Sequence, residues 1–349
     1  MHPTIPAALS PGWKPFVKRF LPGRILAAAL RHRRAPLSVL RGRRTARDDR
    51  RMGRIAPPAP RRRSVRSVVC FVSGPGRPAE LLDSIESVLV SDGESSQVVV
   101  IDDFSIDSRE ALVRERYPEV AVVPLPVPSG GPPRMWPHVA LALHHARECY
   151  DFELFVRLDT DALVVGPGLS QRALEAVGGA DRAAIAGSVV VRADGEPEDH
   201  GYHARVVRGE QRYDRALARA VDAAFARRWT PGRVVQGGAL CVTRAGVDAM
   251  ASGGWLGYRQ PWHSNATDDL LLSIFASAAG AELVSIGGPG GIFAVANKHL
   301  PVATEELAEG RWLVAHSTRL GFEGEDEATL RERFRASRAT WDQAAVRAR

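Results

Sequence analysis

Four short apolar runs, over residues 68–72, 98–101, 120–124 and 152–158, are separated by stretches of helical periodicity, and this alternation limits the fold more than any other feature. The runs are rich in Val, Ile, Leu and Phe and, apart from Glu153 and Arg157 in the last, hold no charged residue, which is the pattern of strands buried on both faces. The spacing predicts strands over 67–73, 97–101, 120–124 and 152–158, and helices over 78–90, 105–116 and 134–149. Pro78 falls in the first turn of a helix, where its missing N–H is not needed, and Asp107 with Glu110 has the spacing of a capping box. Further strands are expected at 183–191, 234–243 and 282–286, and helices at 244–251 and 267–279. A Gly-rich loop (287–291), a segment ending in Val314-Ala315-His316 and a charged C-terminal helix complete the chain. The expected class is α/β, a parallel sheet covered by helices on both faces, with its ligand site beyond the carboxyl ends of the strands.

The 349 residues, 45% hydrophobic, suffice for one large domain of this kind. The formal charge of +7 conceals an asymmetry: residues 1–66 hold 18 Lys and Arg against 2 acids, whereas the remainder is acidic. The chain therefore divides into a basic arm (1–66), an α/β domain (67–325) and a C-terminal helix (326–349). A nucleic-acid-binding protein would spread basic charge over its folded part, so no nucleic-acid partner is expected. Within the arm, Trp13, Phe16, Val17, Phe20 and Leu21 recur at helical spacing among Lys14, Lys18 and Arg19. Such a stripe suits the surface of an anionic membrane, or docks on the protein's own core. The Pro-rich stretch 56–60 reads as an extended spacer. No apolar run is long enough to span a bilayer, and the arginines and lysines interrupting the first apolar segment argue against a cleavable leader. Three cysteines, Cys70 and Cys241 in strand-like runs and Cys149 at a helix end, point to a reducing compartment. The expectation is a cytoplasmic protein, peripheral on the inner face of the membrane.

Two strand ends deliver paired acids. In Phe155-Val156-Arg157-Leu158-Asp159-Thr160-Asp161 the carboxylates are two residues apart, so on an extended chain both reach one divalent ion or its waters, unless the pair merely forms a solvated turn. In the run from Val98 to Ser105, Asp102 and Asp103 can accept from a base N–H or a ribose hydroxyl, or one of them can cap the next helix. Gly74-Pro75-Gly76-Arg77-Pro78-Ala79 also satisfies G-x-G-x-x-A after the first strand, with Asp102 ending the second, as in NAD(P)-dependent oxidoreductases. Against that reading, Pro78 removes one of the helix N-terminal N–H groups that would hold a pyrophosphate, and the acids at 159, 161, 268 and 269 are left without a task.

In order and spacing, RPAELL with IESV, VVVIDDFSID, RLDTDALV, QGGALCVTR, TDDLLLS and AHSTR together resemble the family 2 glycosyltransferases and their GT-A relatives, over residues 67–319. The resemblance implies a GT-A, Rossmann-like, mostly parallel sheet with helices on both faces. It implies metal-dependent transfer of a sugar from a nucleotide diphosphate, a UDP-sugar first among them, to a hydroxyl of a glycan, a lipid-linked acceptor or a small molecule. By the same resemblance Ser73, Asp102 and Asp103 form the nucleotide pocket, Asp159 and Asp161 the metal-diphosphate site, and His316 completes the shell of Mn²⁺ or Mg²⁺. An imidazole among oxygen ligands favours Mn²⁺. Arg319 is placed to meet the diphosphate, and Arg134 stands where the family commonly has an Arg-Asn pair. Asp268 and Asp269 are about 100° apart around a helix, so one of them faces the reacting sugar. The family pattern selects Asp269 as the base of an inverting transfer, leaving Asp268 to bind acceptor hydroxyls or cap the helix. A non-catalytic scaffold of the same fold is the remaining alternative; every expected acid is present, which argues against it.

Overall fold

In the computed structural model, residues 63–74, 76–103, 109–125, 135–189, 200–212, 214–256, 264 and 266–347 are described, together with Arg43 and Arg47. Arg134, Asp107 and the amphipathic stripe 13–21 lie outside them. The chain divides into two compact units, Met1–Arg44 and Thr45–Arg349, and Arg43 alone is described in the first. In chain order the elements of the second unit begin with β1 (Arg63–Ser64), β2 (Ser67–Ser73), α1 (Pro78–Asp92), β3 (Ser96–Asp102), α2 (Arg109–Arg116), β4 (Ala121–Pro124), α3 (Trp136–Cys149), β5 (Tyr150–Asp151) and β6 (Leu154–Leu158). They continue with β7 (Leu163–Val164), α4 (Leu169–Val177), β8 (Ala184–Val189), α5 (His200–Glu210), α6 (Arg215–Ala226), β9 (Val235–Thr243), α7 (Arg244–Ser252) and α8 (Asp268–Ala279). The last are β10 (Glu282–Ser285), β11 (Phe293–Val295), α9 (Thr304–Ala308), β12 (Val314–His316) and α10 (Glu327–Arg347).

The central sheet has seven strands in the order β10-β8-β9-β6-β2-β3-β4. Every residue of β2, β3, β6 and β8 is buried, which is why these segments read as continuous apolar runs. Side chains alternate between two cores. Val68, Cys70, Val99, Ile101 and Phe155 meet α3, α6, α7 and α8, while Val69, Phe71, Val98, Val100 and Val156 meet α1, α2 and α4. Fully buried rings such as Phe71, Phe155 and Phe275 each contribute about 1.5–3 kcal/mol of transfer free energy.

The sheet is parallel except at β9, which runs antiparallel to both β6 and β8. Consequently the carboxyl ends of β2, β3 and β6 and the amino end of β9 share one edge. A second sheet, β11-β12-β7, lies outside the pattern legible in the sequence. In it β12 pairs antiparallel with β7, Val314 opposite Val164 and Ala315 opposite Leu163, so His316 comes alongside the turn that precedes β7. A third apolar cluster beneath this sheet takes in Leu330 and Phe334, which makes α10 part of the domain's core. Folding also starts before Ser67, because β1 pairs with β5. No described helix is long and apolar enough to cross a membrane.

Candidate active site

At the shared sheet edge, Asp159 and Asp161 leave β6 in a tight turn in which the Ala162 N–H donates to the Asp159 carbonyl at 3.0 Å. Each carboxylate has one oxygen held by the protein. Asp159 Oδ1 accepts from Arg157 Nη2 at 2.7 Å, and Asp161 Oδ2 accepts from Ser317 Oγ at 2.6 Å and lies 2.8 Å from Arg319 Nε. The other two oxygens converge on one imidazole nitrogen: His316 Nε2 stands 3.7 Å from Asp159 Oδ2 and 3.6 Å from Asp161 Oδ1. One donor atom from each of these residues lies within 4.8 Å of the others. Neighbouring ligands of an octahedral ion with bonds of about 2.1 Å stand about 3 Å apart and opposite ones about 4 Å; the 3.6 and 3.7 Å spacings lie between these values, so the trio could hold a small divalent cation after a small adjustment. Burial pushes the Asp161 carboxyl up, but His316, Ser317 and Arg319 outweigh it and hold the group below the usual carboxylate range.

The amino end of β9 forms the floor. Gly238 has φ +96°, and a Cβ there would collide with the His316 ring, so only glycine lets that ring lie against the strand. The Gly238 carbonyl accepts from the Asp159 N–H at 2.9 Å. One residue earlier, the Gly237 N–H donates to Asp269 Oδ2 at 3.1 Å, while Asp269 Oδ1 accepts from the Leu270 N–H at 2.8 Å. Asp268 diverges from Asp269 as the helical geometry requires: it is buried, with Oδ2 3.0 Å from Arg157 Nη2. Its carboxyl is raised by burial and by the neighbouring Asp269, against the opposing pull of Arg157. Burial alone would favour a neutral Arg157, but Asp159, Asp268 and Asp269 together keep its guanidinium firmly charged. These groups, with Thr267, Asn297, His316 and Arg319, line a cleft of ≈ 190 Å³.

The structure thus brings together six residues singled out in the sequence, Asp159, Asp161, Asp268, Asp269, His316 and Arg319. Ser73, Asp102 and Asp103 are not among the residues lining that cleft; they lie at the ends of β2 and β3 on the same sheet edge, where Ser73 pairs with Asp102 and the Asp103 N–H donates to the Ser73 carbonyl at 2.9 Å. Asp103 Oδ1 also lies 3.3 Å from Nε2 of His138, a fully buried residue of α3. Arg134 lies outside the described residues. Sequence reasoning missed Arg157, Ser317, Asn297 and His138; the two acids following Arg157 were the available signal for it. In the glycine loop after β2 the Gly76 carbonyl accepts from Arg109 Nη2 at 2.7 Å, and α1 begins at Pro78, which has no N–H to offer a pyrophosphate.

No family model matches the chain, and no curated protein does. Among solved structures it is similar to the galactosyltransferase LgtC in complex with donor and acceptor sugar analogs, at 14% identity and TM-score 0.45, over 78% of this chain and 95% of that one. It is also similar to the mannosyltransferase PcManGT from Pyrobaculum calidifontis in complex with GDP-Man and Mn²⁺ (21%, TM-score 0.39, 75% of this chain and 66% of that one). A third is S. aureus TarS 1-349 (13%, TM-score 0.40, 64% of this chain and 58% of that one). At these scores the function of this chain rests on the geometry of its own site.

Proposed function

We propose that this chain is a GT-A glycosyltransferase that moves a sugar from a nucleotide diphosphate to a hydroxyl acceptor with inversion. The observation that carries the reading is the clustering of Asp159 Oδ2 and Asp161 Oδ1 about His316 Nε2, at 3.7 and 3.6 Å, in the same cleft as the Asp269 carboxylate. Two oxygens and one imidazole suit Mn²⁺ or Mg²⁺, with the imidazole favouring Mn²⁺. An ion bound there would supply charge neutralisation to the diphosphate as it departs. Ser73, Asp102 and Asp103 receive the base and ribose at the strand ends. Arg319, whose side chain is 61% exposed, meets the diphosphate, and Arg134 is read as a further contact to the nucleotide sugar. Arg157 Nη1 is buried, lines the cleft and has no hydrogen-bond partner among the described residues, so it is left to donate to a substrate oxygen.

Asp269 acts as the base. Its carboxylate takes the proton of the acceptor hydroxyl while that oxygen bonds to C1 and the C1–O bond to the diphosphate breaks on the opposite face. Asp268, paired with Arg157, holds the floor of the cleft and is placed for acceptor hydroxyls. The donor class expected first is a UDP-sugar, the acceptor a glycan, lipid-linked or small-molecule hydroxyl. The arm of residues 1–66, with its excess of 16 positive charges, is read as the part that meets an anionic membrane surface from the cytoplasmic side.

A panel of UDP-, GDP- and dTDP-sugars, each with and without Mn²⁺, tests the reading by thermal shift and by hydrolysis. A donor at 100 times its dissociation constant adds about 2.7 kcal/mol of stability. One nucleotide class should stabilise the wild type only with the ion, and Asp161→Asn should abolish that dependence. A panel with no metal-dependent shift, or an unchanged shift in Asp161→Asn, rejects the proposed activity.

A further inference from the structure

We propose that Arg331, on the C-terminal helix α10, is a positioning residue that locks together the two turns carrying the metal ligands; the inference deepens the metal reading above and rests on it. Arg331 touches none of the three ligands. Its side chain is 6% exposed, and it reaches behind the site with every guanidinium nitrogen engaged. Nη2 donates to the carbonyl of Thr160, the middle residue of the Asp159–Asp161 turn, at 2.8 Å, and approaches Thr318 Oγ1 at 3.4 Å. Nη1 meets Asp83 Oδ2 at 2.9 Å, Ser84 Oγ at 3.3 Å and the Glu80 carbonyl at 3.2 Å, and Nε donates to Glu327 Oε1 at 3.0 Å. One planar fork therefore joins α1, α10 and both ligand-bearing turns.

The two turns meet at the same point. The Thr318 N–H and Oγ1 both donate to the Asp161 carbonyl, at 2.9 and 3.1 Å, and Ser84 Oγ adds a second donor to the Thr160 carbonyl at 3.1 Å. Arg331 is thus the cation behind the Thr160 carbonyl and the Thr318 hydroxyl, one in each of the two turns that carry the proposed ligands. Outer-shell partners of this kind orient a ligand set without touching the ion, and losing one typically weakens metal binding by about 10–100-fold.

The same helix supplies a control. Asp83, a buried carboxylate of α1, is shared by Arg331, Arg335 and Arg338, and Arg338 is as deeply buried as Arg331. The hydrogen bond of Arg338 goes to Asp83, with none to Thr160 or Thr318. Substituting either arginine loosens the seat of α10 on α1, but only Arg331 supports the ligand turns.

Arg331→Lys keeps a cation for Asp83 while lacking the fork that spans Asp83 and Thr160 together; Arg338→Met removes the neighbouring contact. In the full chain, Mn²⁺ affinity and hydrogen exchange of the 159–163 and 316–320 backbone are measured for both. Arg331→Lys should bind Mn²⁺ about 10-fold or more weakly and exchange faster in both segments. Arg338→Met should lower thermal stability and leave both readouts near wild type. Equal exchange and affinity in Arg331→Lys and wild type, or equal loosening by Arg338→Met, overturns the positioning role. A wild-type chain that binds no Mn²⁺ overturns the metal reading instead, and the exchange comparison then decides the role of Arg331 alone.

Discussion

Gly238→Ala separates backbone strain from ligand placement at the proposed metal site. At φ +96° an L-residue is strained, a cost of about 1–3 kcal/mol. The new Cβ would also overlap three atoms of the His316 ring. The chain has two ways to relieve this. Rotating the peptide breaks the bond from the Asp159 N–H to the Gly238 carbonyl, and keeping it displaces His316; either moves one member of the ligand trio. The loss should be at least that of an outer-shell partner, about 10–100-fold in Mn²⁺ affinity. The accompanying fall in Tm should be modest, about 2–4 °C per kcal/mol for a domain of roughly this size. Gly237→Ala is the internal control, because its φ is not positive and the atoms nearest its Cβ would be Asp269 Oδ2 at 3.2 Å, Asp269 Cγ at 3.5 Å and Arg157 Nη1 at 3.6 Å. That variant should spare metal affinity and impair turnover. Metal titration and thermal melts on both proteins check the reasoning. Equal Mn²⁺ affinity in Gly238→Ala and wild type, with the expected loss of stability, would show that the His316 position does not matter to the ion.

Asp269→Asn should cut turnover by about 100-fold or more with little change in donor binding, whereas Asp268→Asn should mainly lower stability, because it strips a partner from buried Arg157. The reverse order in steady-state kinetics moves the base to Asp268, and full turnover in both variants removes the proposed inverting mechanism. Deleting residues 1–60 should leave activity intact and weaken salt-sensitive binding to anionic vesicles; equal vesicle binding by both proteins refutes the role given to the arm. Burial, with His144 adding to it, pushes His145 down to about 4. The unfolded chain takes up that proton near pH 6.5 while the folded one resists it, so stability should decline as pH falls from about 6.5 to about 4, by at most about 3 kcal/mol. His145→Gln should flatten that slope, and parallel pH profiles of melting for the two proteins would exclude the residue as its source.

The central sheet was legible because strands buried on both faces are mostly apolar at their centres, and β2, β3 and β6 fall within one or two residues of their expected bounds. The reversed direction of β9 was not, since burial on both faces reads the same in either direction. Helix α6, RALARAVDAAFA, buries Leu217, Ala220, Val221 and Ala224 with Arg215, Arg219 and Asp222 on the opposite face, a stripe that the sequence does carry. The strands β5 and β7 have two residues each, too few to show a period. Acids at strand ends were visible, because position relative to an apolar run is itself a local signal. What holds them was not: Arg331 is 171 residues from the Thr160 carbonyl it binds, and Ser317 is 156 from Asp161. Such partners are chosen by tertiary packing and leave no mark on the sequence near the residue they serve.

The two halves of the cleft are joined by adjacent peptides of a single strand. Gly238 accepts from the Asp159 N–H on the metal side, and Gly237 donates to Asp269 on the side proposed for the base. Arg157 repeats the link in side chains, with Nη2 2.7 Å from Asp159 and 3.0 Å from Asp268. Strand and arginine both belong to the rigid sheet, where β6 and β9 are paired from Leu154 opposite Thr243 to Leu158 opposite Ala239. On the proposed reading, the spacing between the metal side and the Asp269 side is therefore tied to sheet register through these two bonds. That distance must hold to within about an ångström for an in-line displacement, since misplacement on that scale can cost about 10²-fold in rate. Antiparallel β9 is what makes the arrangement possible: a parallel strand in its place would bring its carboxyl end to this edge, and the Gly237-Gly238 pair would lie at the opposite side of the sheet from the acids.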